Sequence, residues 1–258
     1  MATSYPIILA HGILLKERGI FFKSFSYVQK HLAKAGYRVY VAGTDGVGTI
    51  ENNAAQLKRE IEEILEKEGV EKVNIIAHSK GGLDSIFMIK NLGMAEKVAS
   101  LTTLCTPHRG SPVATAILKM PKIFLCPLAF FYNLFYRLLQ DENPDVIAVL
   151  KQLSYTGTPF TEGLDVGIYC QSYSLKMDRA RDDFLMSLSH RISKRFSDED
   201  TDGMVSRSSA QFGEYKGDCV EDSLCHHAIV CYMTGKKKRE KVLSFYDELC
   251  ADLSRRGY

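Results

Sequence analysis

Three side chains far apart in the chain, Ser79, Asp202 and His226, have the types that acyl transfer through a covalent intermediate needs. A serine hydroxyl is a poor nucleophile. It needs a base to take its proton, a carboxylate to orient that base, and N–H groups to hold the oxyanion that forms. Ser79 closes the apolar, β-branched run that starts at Val73, and Lys80-Gly81-Gly82 lead into a helix-patterned segment. This reads as a nucleophile elbow, with Ala77 and Gly81 at the two flanking positions of G-x-S-x-G. The plainer reading is a βα loop in which the serine only caps a helix.

The other two residues weigh against that plainer reading. Asp202 stands in the turn Asp202-Gly203-Met204-Val205, and His226 in Cys225-His226-His227-Ala228-Ile229-Val230. The chain order is therefore Ser, Asp, His, the order of the α/β-hydrolase triad. His226 and His227 compete for the role of base, and a helix starting at His226 puts Ile229 and Val230 three and four positions on, facing a core. We therefore assign the base to His226. The run Tyr5 to Ala10 ends at His11-Gly12-Ile13, and a glycine there lets a strand-ending loop turn inward. The backbone N–H groups of Ile13 and Lys80 are the expected oxyanion donors. Cys219, Cys225, His226, His227 and Cys231 include zinc-ligand types, but no C-x-x-C pair is present and no metal is assigned. His108 reads as a loop residue hydrogen-bonded near the site rather than as a second base.

The elements needed to carry these residues alternate. Apolar runs at Tyr5–Ala10, Tyr37–Val41, Val73–His78, Val98–Leu104 and Val166–Cys170 predict strands. Three-and-four spacing predicts helices over Phe22–Ala35, ended by Gly36, over the segment through Leu57, Ile61, Ile64 and Leu65, closed by Gly69, after the elbow, and over Lys241–Leu253. The alternation predicts an α/β class with a mostly parallel, doubly wound sheet and helices on both faces. Ligands bind such sheets outside the carboxyl ends of the strands, where His11-Gly12 and Ser79 both fall. Gly43 to Thr49 is glycine-rich but has Thr49 where a phosphate loop needs lysine, and is read as a plain loop. Residues Lys176 to Asp200 are charged and irregular, and no function is assigned to them.

Between about residues 112 and 161 the rhythm breaks. Ile123 to Leu139 is aromatic-rich and apolar around most of a helix, and Pro127, Asn133 and Arg137 interrupt it short of the roughly 20 apolar residues of a membrane span. The segment is expected to be a cap inserted into one domain spanning residues 1–258. Phe124, Leu128, Phe131, Leu134 and Phe135 are the expected substrate contacts, and the cap is the expected point of transient contact with a lipid interface.

Among 258 residues the formal charge is +2, which gives no field selecting nucleic acid, and Lys236-Lys237-Lys238-Arg239 reads as a solvated helix start. Seven scattered cysteines suggest free thiols in a reducing compartment. No leader pattern is visible, so a cytoplasmic location is expected, or export if a leader has been removed.

Tyr5 to Gly12, Gly36 to Ala42, Val73 to Leu83, Thr102 to Ser111 and Asp202 to Val205 together resemble the bacterial true lipases of the Pseudomonas and Burkholderia type, within the α/β-hydrolase superfamily. The resemblance is close over roughly the first 110 residues. It implies a lidded carboxylester hydrolase acting on acylglycerols, with triad roles at Ser79, Asp202 and the histidine near the C-terminus. Those lipases have glycine where this chain has Ala77. They also bind calcium partly through an aspartate where this chain has Ala228, so the resemblance does not carry a calcium site. The expected function is a serine lipase or esterase working without a cofactor on an apolar ester or lipid. The alternatives are a thioesterase or acyltransferase with the same triad, or a non-catalytic lipid-binding protein on a hydrolase fold.

Overall fold

The computed structural model describes residues 2–14, 24–155 and 168–258. Six strands, β1 (Ile7–Ala10), β2 (Val39–Val41), β3 (Val73–His78), β4 (Val98–Leu104), β5 (Tyr169–Lys176) and β6 (Glu214–Ser223), form one sheet in the order β2-β1-β3-β4-β5-β6. Every pairing is parallel. β1 and β3 lie inside it and are buried along their whole length, which is why their sequence is continuously apolar rather than alternating.

Side chains alternate across the sheet and so divide the core in two. Ile7, Leu9 and Ile76 face α1 (Ser26–Lys34) and the last helix, α8 (Lys236–Arg255). Ile8, Ala10, Ile75 and Ala77 face α2 (Ile50–Glu68) and α3 (Lys80–Asn91). α2 begins where the Thr49 hydroxyl accepts the Asn52 N–H, and stops at Gly69, whose φ of 62° suits a residue without a Cβ. Between β4 and β5 come α4 (Pro112–Leu118), α5 (Lys122–Leu138), α6 (Val146–Leu153) and α7 does not appear until after β5, at Ser187–Phe196.

Several expectations are corrected. The expected strand at Val166–Cys170 is instead β5, starting at Tyr169 and running to Lys176; Val166 and Gly167 lie outside the described residues, as do Phe22 of the first predicted helix and the last residues of the predicted cap. The stretch read as irregular holds α7 and a short 3-10 turn at Ala180–Asp182. β6 was not expected at all. It is an edge strand, and of its ten residues only Cys219 is buried, so no apolar run marks it. No single helix among the described residues is long and apolar enough to cross a membrane.

Candidate active site

β3 ends at His78 and α3 starts at Lys80, so Ser79 alone makes the turn between strand and helix. It does so with φ 54° and ψ −129°, a conformation unfavourable for a residue with a Cβ. Neighbouring contacts hold it there: the Ser79 N–H donates to the Leu104 carbonyl at 2.9 Å. Two glycines let the chain close around it. A Cβ on Gly12 would stand 2.6 Å from the Ser79 Cβ, and one on Gly81 would stand 2.5 Å from the His11 carbonyl oxygen. The His11-Gly12 loop and the elbow therefore pack at a distance only glycine allows.

Across from Ser79, His226 opens a 3-10 turn (His226–Val230) after β6. Its Nε2 lies 2.8 Å from Ser79 Oγ, and its Nδ1 lies 2.6 Å from Asp202 Oδ2. The other carboxylate oxygen, Oδ1, accepts the N–H groups of Met204 and Val205, both at 2.8 Å. Asp202 is thus a buried carboxylate with its acceptors occupied, and Nδ1 of His226 must be the protonated nitrogen. That leaves the Nε2 lone pair facing the serine hydroxyl. The His226 backbone is fixed as well, its N–H donating to the Asp202 carbonyl at 2.9 Å and its own carbonyl accepting His78 Nε2 at 3.0 Å. Burial holds His78 well below the usual imidazole range, so it serves here as a neutral donor.

The structure brings Ser79, Asp202 and His226 together and turns His227 away. His227 Nδ1 bonds the Tyr232 carbonyl at 2.8 Å, and its Nε2 faces Cys225 and Asp183. Of the cysteine and histidine run weighed for zinc, Cys225 and His227 come together with Asp183, whereas His226 groups with Cys105 and Asp202. Ala228 is buried and has no side-chain oxygen, and its carbonyl already accepts the Cys231 N–H at 2.9 Å, so a calcium site using a carboxylate at that position does not fit. His108 is away from the cavity wall, bonded to Thr103 Oγ1 at 3.0 Å and stacked on Phe212, and burial pulls its imidazole down to about 3.

Ile13 and the first turn of α3 flank Ser79. The Lys80 side chain turns inward, where Nζ bonds Asp84 at 2.7 and 3.0 Å, both residues being buried, and Asn53 completes the carboxylate's partners. Burial lowers the ammonium of Lys80 and pushes the carboxyl of Asp84 up to about 6. The glycine-rich loop before α2 is not an anion cradle: Asp141 already accepts the N–H groups of Gly46 and Val47, at 3.2 and 3.0 Å.

Ser79 opens into a cavity of about 530 Å³. Of the five expected substrate contacts, Phe131 and Phe135 line it; Phe124, Leu128 and Leu134 do not. Phe124 and Leu128 share the helical stripe of Phe131 and Phe135 but sit one to two turns nearer the start of α5, roughly 5–10 Å along the axis. Ile13, His78 and the His226–His227 pair also line the cavity, and Tyr132, Tyr136, Leu14, Leu185, Met186, Met204 and Tyr232 complete its walls. The latter were missed in the sequence. The available signal was adjacency, since Leu14 follows Ile13, Met204 follows the Asp202 turn and Tyr232 follows the histidine pair. Tyr136 also ties α5 to the loop after β1, its hydroxyl donating to the Leu14 carbonyl at 2.7 Å.

Residues 5–204 match the family model described as the alpha/beta hydrolase fold. Triacylglycerol lipase 2 of Saccharomyces cerevisiae is 26% identical over 262 residues, covering 90% of this chain and 73% of that protein. The triacylglycerol lipase of Burkholderia plantarii is 32% identical over 169 residues, 61% of this chain and 47% of that protein. The chain thus spans about half the length of that bacterial relative. Among solved structures, the Staphylococcus hyicus lipase superposes with a TM-score of 0.76 over 97% of this chain and 95% of that one, at 16% identity.

Proposed function

The chain belongs to the α/β-hydrolase fold family, and on that premise we propose that it is a serine lipase or esterase that cleaves apolar acyl esters, acylglycerols among them, through an acyl-enzyme. The observation that carries this reading is the unbroken hydrogen-bond chain from Ser79 through His226 to Asp202, with Ser79 open to an apolar cavity. Ser79 Oγ attacks the ester carbonyl carbon as its proton passes to His226 Nε2. Asp202 stabilises the imidazolium and keeps Nδ1 protonated. The N–H groups of Ile13 and Lys80 hold the oxyanion, a role worth about 3–4 kcal/mol per donor in comparable sites. His226 then gives its proton to the leaving alkoxide, and water resolves the acyl-enzyme by the same route.

Phe131, Phe135, Tyr132 and Tyr136 on one side and Leu185, Met186 and Met204 on the other receive the acyl chain. The outward side of α5 supports a transient contact with a lipid interface, since Ile123, Phe124, Phe130 and Leu138 are all more than 60% exposed. The free thiols of all seven cysteines support a reducing compartment. A fluorophosphonate probe should label the chain at Ser79, and a series of p-nitrophenyl esters should be hydrolysed with a preference for longer chains. Lipid binding without labelling would instead favour the non-catalytic alternative, and faster turnover of acyl-CoA than of esters the thioesterase.

A further inference from the structure

We propose that Asp183, Cys225 and His227 form a binding site for a single zinc ion, beside the proposed catalytic machinery but separate from it. The three donor atoms make a nearly equilateral triangle. Cys225 Sγ lies 3.3 Å from Asp183 Oδ2 and 3.3 Å from His227 Nε2, and His227 Nε2 lies 3.3 Å from Asp183 Oδ2. Zinc bonds of about 2.3 Å to sulfur, 2.0 Å to nitrogen and 2.1 Å to oxygen, at tetrahedral angles, require donors roughly 3.4 to 3.6 Å apart. The triangle is therefore already the base of such a tetrahedron, and the fourth position is left for water.

The histidine is also oriented as a ligand. Its Nδ1 faces the Tyr232 carbonyl at 2.8 Å and must donate there, which leaves the Nε2 lone pair for the triangle. An N–H anchored to a backbone carbonyl is how ligating histidines are held. Sulfur, nitrogen and one carboxylate suit zinc and do not suit calcium or magnesium, which take oxygen ligands. Cys225 and His227 are buried and Asp183 is half-buried, so an ion can reach the site without unfolding it. The other cluster of ligand types among the described residues, Cys105, Asp202 and His226, is not available, because both ring nitrogens of His226 are engaged.

The consequence is mechanical. Cys225 and His227 bracket His226, and Asp183 lies after β5 on a different segment. A bound ion ties the turn carrying the base to that segment, with the thiol proton released to solvent as the thiolate forms. Neither Ser79 nor Asp202 nor His226 takes part, so loss of this site leaves the hydrolase reading intact and the reverse also holds.

The test uses the full chain, reduced and stripped by a chelator, titrated with cobalt(II) as a spectroscopic stand-in for zinc. A thiolate-to-cobalt charge-transfer band in the near ultraviolet, with tetrahedral bands in the visible, should saturate at one equivalent and disappear on addition of zinc. Cys225→Ser should abolish the near-ultraviolet band. Asp183→Asn, which alters the most exposed of the three ligands, should keep the band but weaken binding by at least about tenfold. Zinc should raise the midpoint of thermal unfolding in the native chain and not in Asp183→Asn. The proposal is overturned if the native chain gives no saturable band, if the band persists in Cys225→Ser, or if Asp183→Asn binds cobalt as tightly as the native chain. Should Cys225→Ser not fold, the Asp183→Asn affinity decides alone.

Discussion

Ser79 and helix α5 face one another across the same cavity and are held in opposite ways. On the floor, nearly every polar atom has a fixed partner: Asp202 is bonded on both carboxylate oxygens, and His226 by both ring nitrogens, its N–H and its carbonyl. On the roof, α5 buries only Leu125, Ala129 and Tyr136, and leaves most of its aromatic side chains exposed. The difference separates two demands. Proton transfer tolerates little displacement, so its residues are over-determined; recognition of an apolar chain needs area and little direction, so its residues can be loosely held.

That contrast can be broken first on the floor. Ser79→Ala should lower ester hydrolysis by about 10⁴-fold or more, and His226→Ala by a comparable factor, whereas His227→Ala should leave kcat within about tenfold, because its ring points away from Ser79. Rates on a p-nitrophenyl ester check all three, and full activity in His226→Ala would exchange the roles of the two histidines. Next in size is the buried pair behind the Ser79 turn. Asp84→Ala strands the Lys80 ammonium and should cost about 3–5 kcal/mol of stability, while Lys80→Met with Asp84→Leu should be near neutral; denaturant unfolding measures both.

The roof should respond more gently and selectively. Phe131→Ser together with Phe135→Ser should reduce kcat/KM for long acyl chains by about 10- to 100-fold, or about 0.7–1.4 kcal/mol per aromatic side chain, roughly half of what full burial is worth, and leave acetate esters nearly untouched. Equal losses on both would mean that α5 positions the floor rather than the chain. The last effect expected is a pH slope. Asp84 keeps its proton in the folded chain up to about pH 6, whereas its ordinary value is 3.8. Its contribution to stability is therefore complete below about pH 4 and is lost as pH rises through 6. Unfolding between pH 4 and 6 should show this decline in the native chain relative to the Lys80→Met, Asp84→Leu pair.

The same contrast explains which features could be read from the residues. β1, β3 and β4 announce themselves because strands buried on both faces must be apolar throughout, and the elbow is legible because Ser79 interrupts such a run. The order of Ser79, Asp202 and His226 then needed only spacing. β6 could not be found by that means: its Asp218 pairs with Arg207 and its Tyr215 with Ser174, satisfying an exposed edge with polar groups. The cavity walls were half legible. An apolar helix was evident, but which stripe of α5 faces Ser79 is fixed by the Tyr136–Leu14 bond, a contact across 122 residues that no local pattern encodes. Asp183 was hidden in a segment dismissed for its charge, and only folding sets it against Cys225 and His227.

The bond between Ser79 and His226 spans 147 residues, and this bears on how the chain is made. Domains fold as they emerge, N-terminal parts first, at about 5–20 residues per second. The elbow's own strands are complete by Leu104, so for roughly 6 to 24 seconds the ribosome carries a formed turn whose serine still lacks His226. On the proposed mechanism, a chain that stops short of His226 is an inert one, and activity reports that synthesis has passed that residue.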